Sequence, residues 1–338
     1  MIFLNGYERI SRYKSHLMGI AVMIVVYGHL LYYHSGLMYY EDLNFTEWYT
    51  LGSVEMFMFI SGFGIYQSLR KNRDAWTFYG RRLGRLLPSF LPVMIAWCGV
   101  NLLAGKMRLG EAVGNITATG WWFQTSHQFN WYVPAILVLY LLSPLLFDCI
   151  EKKKTAWAFA ALVILNIAGW RSNLLMAVSR FPTYFLGMYF GSRYAAGAAP
   201  TKKQVAIWSV LGVAAMAVVP YFFLIGRRYL WFYGMYWNLF FVSTPMCMFL
   251  TTKILEAQDR VAVGRGLNKV WSFLGVRSFE IYLCHLALYE SCLKLHIQGW
   301  PQWIVIAVLG TGIGIAYHQV VEFCVAKWKA KKAAAVNG

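Results

Sequence analysis

Acidic side chains are scarce in this 338-residue chain. Asp and Glu number 14 against 31 Lys and Arg, and charged residues of both signs make up only 13%. Soluble domains carry about 25%. With 59% hydrophobic residues, a mean hydropathy of +0.48 and repeated long apolar runs, the deficit of charge points away from a large soluble core and towards a polytopic membrane protein. Alternating apolar and polar segments are also missing. The runs are continuous, which favours an all-α set of spans over a barrel.

Other absences narrow the classes further. The six cysteines (Cys98, Cys149, Cys247, Cys284, Cys292 and Cys324) form no C-x-x-C pair and lie almost entirely in apolar runs. A disulfide framework or a zinc site is not expected, and they read as small buried hydrophobes. No cluster of metal ligands stands out, so no metal is expected. No A-x-A cleavage site follows the first apolar run, which is therefore expected to stay as a helix. No recognition motif accompanies the net charge of +17, so nucleic acid is not an expected partner. The positive charges sit instead in short loops between apolar runs, as cytoplasmic loops require. No internal repeat or low-complexity tract appears, and a single membrane domain over residues 1–338 is expected.

What is present is a series of ten stretches of span length, near 15–35, 48–69, 86–104, 131–150, 155–172, 178–193, 205–225, 230–252, 271–293 and 302–326. The sixth is short. With the N-terminus inside, the cytoplasmic segments hold 24 Lys and Arg and the outer segments hold 7, Arg180 among them. That asymmetry predicts both termini in the cytoplasm.

Five segments carry residues with chemical potential. In VVYGHLLYYHSG, His29 lies about 22 Å beyond Lys14 at 1.5 Å per residue, in the outer half of the membrane, and His34 at or beyond its surface. An ionisable ring at that depth is costly without a partner. Two readings stand: a proton acceptor that activates a hydroxyl, or a neutral ring hydrogen-bonded across helices. In VEMFMFISGFGIYQSL, Glu55 sits near the outer end, either as an interfacial charge or as a partner that holds the His29 ring. Ser61, Gly62 and Gly64 suit close helix packing. In FYGRRLGRLLPSFLP, Arg82 and Arg85 lie one turn apart on a face, beside Arg81. Six Lys or Arg between Arg70 and Arg85 form the densest basic cluster. They read as positive-inside anchors or as a guanidinium fork for a cytosolic anion.

In FNWYVPAILVLYLLSPLLF, Trp131 and Tyr132 fit an interfacial aromatic belt, and Pro134 and Pro144 are candidate kink positions. In FLGVRSFEIYLCHLALYE, Glu280 and His285 lie about 140° apart on a helix, which argues against a direct pair. Gly187 and Gly191 are spaced for close packing, within the chain by default or across a homodimer.

Taken in order, GIAVMIVVYGH, VEMFMFISGF, RRLGRLLP, WYVPAILVLYLLSPLL and LGVRSFEIYLCH resemble the acyltransferase 3 family of integral-membrane acyltransferases. The resemblance implies about ten helices and transfer of an acyl group, commonly acetyl, from a cytosolic acyl-CoA to a glycan hydroxyl at or beyond the outer face. The family's helix-one histidine corresponds to His29 and its R-x-x-R to Arg82 and Arg85. The family usually has a basic residue eleven positions before that histidine, about 20° away on the same helical face. Met18 stands there in this chain. Lys14, about 60° off that face, is the nearest substitute.

The mechanism that the resemblance implies has Arg82 and Arg85, with Arg81, on the phosphates of acetyl-CoA or another acyl-CoA. The pantetheine arm reaches between helices towards His29. His29, oriented by Glu55, takes the proton from the acceptor hydroxyl, and His34, Trp131 and Tyr132 contact the acceptor. Direct transfer and a covalent acyl-enzyme both stay open, while the missing G-x-S-x-G elbow removes support for a serine-hydrolase route. The expected surroundings are membrane lipid, a glycan or lipid-linked sugar, and a bacterial plasma membrane. Two competing readings are a transporter of a glycan precursor or small solute and a non-catalytic scaffold with the same fold.

Overall fold

A computed structural model describes residues 5–34, 52–123, 131–169, 174–224, 236–297 and 299–337. All regular structure among them is helical. The chain opens with α1 (Gly6–Arg12), α2 (Lys14–His34), α3 (Ser53–Lys71) and α4 (Ala75–Leu103). Short α5 (Leu109–Ile116) and α6 (Gly120–Phe123) lead to α7 (Tyr132–Glu151), α8 (Thr155–Ala168) and α9 (Leu175–Val178). Then come α10 (Phe181–Ala195), α11 (Lys202–Leu224), α12 (Tyr236–Gln258), α13 (Ala262–Val276) and α14 (Ser278–Leu295). Short α15 (Trp300–Trp303) and a π-helical stretch (Ile304–Leu309) precede α16 (Gly310–Asn337).

Helices cover most of the described part of each apolar stretch, and the short sixth one corresponds to the 15-residue α10. Four helices among the described residues are both long and apolar enough to cross a membrane: Ala75–Leu103, Tyr132–Glu151, Asn238–Gln258 and Trp300–Lys331. Two further apolar helices, Lys14–Leu30 and Thr155–Ala168, are shorter. The ninth stretch, continuous in hydropathy, is divided at Arg277, whose carbonyl accepts the Ile281 N–H that opens α14. The six cysteines are free thiols.

The helices form two compact units, Met1–Tyr79 with Ala135–Val276, and Gly80–Pro134 with Arg277–Gly338. In the first, α3 and α10 are seated backbone against backbone. A methyl group on Gly62 would stand 1.9 Å from the Tyr184 carbonyl oxygen, and one on Gly187 would stand 2.0 Å from that of Phe59. Gly191 faces Phe63 in the same way. The Gly187/Gly191 spacing is therefore used within the chain. A second close seam joins α2 to α13, where Gly19 meets the Trp271 carbonyl and Gly275 meets that of Ser15. Small residues permit such approach in membrane helices, where dispersion and polar contacts replace the hydrophobic drive of water.

An aromatic core surrounds Phe190, whose ring lies 5.2 Å from Tyr7, 5.1 Å from Phe59 and 5.0 Å from Trp208. At one end of this unit α1 is started by a capping box, in which Asn5 Oδ1 accepts from the Tyr7 and Glu8 amides and the Glu8 carboxylate accepts from the Asn5 amide. Asp259, between α12 and α13, then ties the elements together. It accepts from Tyr13 Oη and from Asn268 Nδ2, and pairs with Arg12 at 3.6 Å. Burial alone would raise the Asp259 pKa. The Tyr13 and Asn268 hydrogen bonds, with the Arg12 charge, outweigh it and hold the carboxyl below its ordinary range.

Candidate functional site

His29 lies in the last two turns of α2, half-buried, with its ring bonded to the Val25 carbonyl one turn back. His34 is the final residue of the same helix, and its side chain falls outside the described residues. Lys14 begins α2, and Met18 is half-buried one turn further on.

Glu55 is the third residue of α3, a helix that packs against α2. Its ion-pair partner is Arg180, the residue that caps α10, with Nε 3.2 Å from Oε1 and both side chains 1% exposed. The sequence leaves Glu55 open, as an interfacial charge or as a partner of the His29 ring; in the structure a guanidinium faces it. Thr183, one turn into α10, faces the same carboxylate and is fully buried. A carboxyl group and a guanidinium buried this fully are tolerable because each faces a partner of opposite character. The α3–α10 glycine seam brings the helices close enough for them to meet.

The second unit holds the basic segment. Arg81, Arg82 and Arg85 all lie on α4, which runs without a break through Pro88 and Pro92. Arg81 and Arg85 are exposed, whereas Arg82 is half-buried with its Nε out of solvent. Ser89, one turn past Arg85, donates from Oγ to Glu280 Oε1 at 2.6 Å. The other Glu280 oxygen meets His318 Nδ1 at 3.1 Å. Tyr317 Oη donates to the Ser89 carbonyl at 2.9 Å. One carboxylate thus joins α4, α14 and α16.

The serine is bonded to the carboxylate and not to the imidazole. The cluster therefore lacks the nucleophile–base contact of an acyl-forming serine site. As expected, Glu280 makes no pair with His285. The latter is fully buried, bonds through Nδ1 to the Ile281 carbonyl at 2.8 Å, and packs beneath Gly310. Trp131 precedes α7 and meets Tyr132 edge-on at 6.3 Å, while Tyr132 meets Tyr282 at 5.4 Å. Trp131 and Tyr132 are both half-buried.

Sequence reasoning missed Arg180, Ser89, Tyr317 and His318. In the sequence Arg180 reads as an outer-loop charge, though it lies at the start of the sixth apolar stretch, and Glu55 lies near the start of the second on the same predicted side. A charge of each sign at matching depth was the available signal. For His318 it was an imidazole near the inner end of the last apolar stretch, with Glu280 still lacking a partner.

A helical membrane protein with ionisable groups buried between its helices is the class that fold and sites define. The chain belongs to the acyltransferase 3 family, whose acyltransferase-domain model matches residues 16–318. It is thus a membrane acyltransferase by family, and the match takes in His29, Glu55, Arg82, Arg85 and His318. No curated protein and no solved structure matches the chain.

Proposed function

We propose that the chain is an O-acyltransferase, and specifically an O-acetyltransferase, that moves the acyl group of a cytosolic acyl-CoA to a hydroxyl of a cell-surface or lipid-linked glycan. The observation that carries this reading is the family match, which runs through the basic segment of α4 and the half-buried histidine of α2. Arg82 and Arg85, assisted by Arg81, hold the phosphates of the donor through charge-assisted hydrogen bonds. His29 accepts the proton of the acceptor hydroxyl as its oxygen attacks the thioester carbonyl. The carbon–sulfur bond breaks, and the imidazolium returns the proton to the departing CoA thiolate. Excluding bulk water from this step keeps the thioester from hydrolysis.

In this reading the chain spans a bacterial plasma membrane about ten times with both termini in the cytoplasm. The charge asymmetry supports that orientation, more so with Arg180, which is buried, taken out of the outer count. Glu55 contributes by fixing Arg180 where α3 meets α10. Trp131, Tyr132 and His34 contact the glycan.

The test is acetyl-CoA binding to purified protein, wild type against Arg82→Ala/Arg85→Ala. Binding by the wild type that is lost in the double variant is the expected result. Folded wild type that binds no acetyl-CoA would overturn the reading, and substrate flux into vesicles without acyl-CoA would replace it with transport.

A further inference from the structure

An acyl-CoA is more than its phosphates. Between the nucleotide and the thioester runs a pantetheine arm with two amides. An amide moved among apolar side chains without a partner costs several kcal/mol. Any protein that takes this arm between membrane helices needs polar atoms along its way.

On α4 such atoms follow the arginines directly. Ser89 is seven residues past Arg82, which places it about 10 Å further along the helix and within about 20° of the same face. It is also one turn past Arg85. Ser89 is 1% exposed, and its hydroxyl proton is committed to Glu280. Its oxygen still has lone pairs to offer. Glu280 likewise fixes His318, engaging Nδ1. In the neutral ring, with the proton on Nδ1 to serve the carboxylate, Nε2 on the far side is an acceptor. Tyr317, which donates to the Ser89 carbonyl, retains lone pairs of its own. His318 and Tyr317 are only partly buried, so the cluster is not sealed. A tie between helices needs only the two bonds to Glu280. The unused capacity is a set of acceptors, the complement of amide N–H donors.

We propose that Ser89, Tyr317 and His318, held in place by Glu280, form the subsite for the pantetheine arm of the donor. The proposal rests on the acyl-CoA reading and extends it. The arginines grip the nucleotide end, and the next two turns of α4 with the facing residues of α14 and α16 receive the amides. Glu280 is a positioning residue, since both of its oxygens are occupied by the side chains it orients.

The experiment compares two probes on purified protein: acetyl-CoA, which has the arm, and adenosine 3′,5′-bisphosphate, which has phosphates and no arm. Ser89→Ala and Tyr317→Phe remove one hydroxyl each and leave the Glu280–His318 contact in place. Each is expected to weaken acetyl-CoA binding about tenfold, the equivalent of one buried hydrogen bond, with the bisphosphate affinity unchanged. Wild-type acetyl-CoA affinity in both variants would overturn the proposal and leave the donor reading standing. So would an equal loss for both probes, which would make the cluster a helix tie. If wild type binds neither probe, the donor reading itself fails, and this proposal with it.

Discussion

Glu55 and Arg180 are 125 positions apart in sequence and 3.2 Å apart in the fold, each 1% exposed. Neither charge has access to bulk water, so each depends on the other. Removing one partner of a buried pair commonly costs about 3–5 kcal/mol, while replacing both with apolar groups of similar size is often near neutral. Glu55→Leu and Arg180→Met are each expected to lower the unfolding temperature in detergent markedly. The double variant is expected to recover most of the loss. Additive losses in this double-mutant cycle would contradict the pairing. If Arg180 also serves the reaction, the double variant will be folded and inactive.

The glycines of the SGFG segment make opposite predictions. Gly62 has the Tyr184 carbonyl where a methyl group would go, whereas Gly64 has nothing within 4 Å. Gly62→Ala should abolish the monodisperse peak in size-exclusion chromatography. Gly64→Ala should preserve it and raise stability by up to about 1 kcal/mol, since alanine is the better helix former.

His29 is expected to matter for turnover more than for binding. An isolated general base contributes roughly 10²–10⁴-fold. His29→Ala should therefore lose activity on that scale in an acetyl-transfer assay while binding acetyl-CoA with wild-type affinity. Retained turnover would return His29 to a structural role.

Asp259 predicts a pH effect with a definite sign. Its carboxyl is held below its ordinary range in the fold. Its contribution to stability is thus complete above the unfolded-state value and is lost as pH falls through the depressed folded-state value. Melting curves between neutral and strongly acid pH should show the wild type losing its advantage over Asp259→Asn at the acid end. At neutral pH that advantage is expected to be about 1 kcal/mol, modest because Asp259 is partly exposed. A constant difference across the range would mean that the charge of Asp259 contributes nothing.

What the sequence made legible is what lies within one helix. The helical class, the turn-spaced arginines on α4 and the close packing of Gly62, Gly187 and Gly191 follow from periodicity and local composition, whereas Gly64, read together with Gly62, has nothing within 4 Å. The independence of Glu280 and His285 followed from their angular separation alone. What stayed hidden are partners brought together from distant positions. Ser89 and Glu280 are 191 residues apart, and Glu280 and His318 are 38 apart on different helices. Hydropathy also concealed the break at Arg277, because apolar residues continue on both sides of a junction set by hydrogen bonding. The Glu55–Arg180 pair was hidden for the same reason, because it takes the glycine seam to bring α10, with Arg180 at its head, against α3.

That seam has a mechanical consequence. With Gly62 and Gly187 each already at the limit of approach to a facing carbonyl, α3 and α10 have no slack to slide or roll against each other. A turn of either helix would drive a larger side chain into the other's backbone. Whatever rearrangement accompanies turnover must carry the two as a single strut, with Glu55 and Arg180 as its rivet, and leave the motion to other joints.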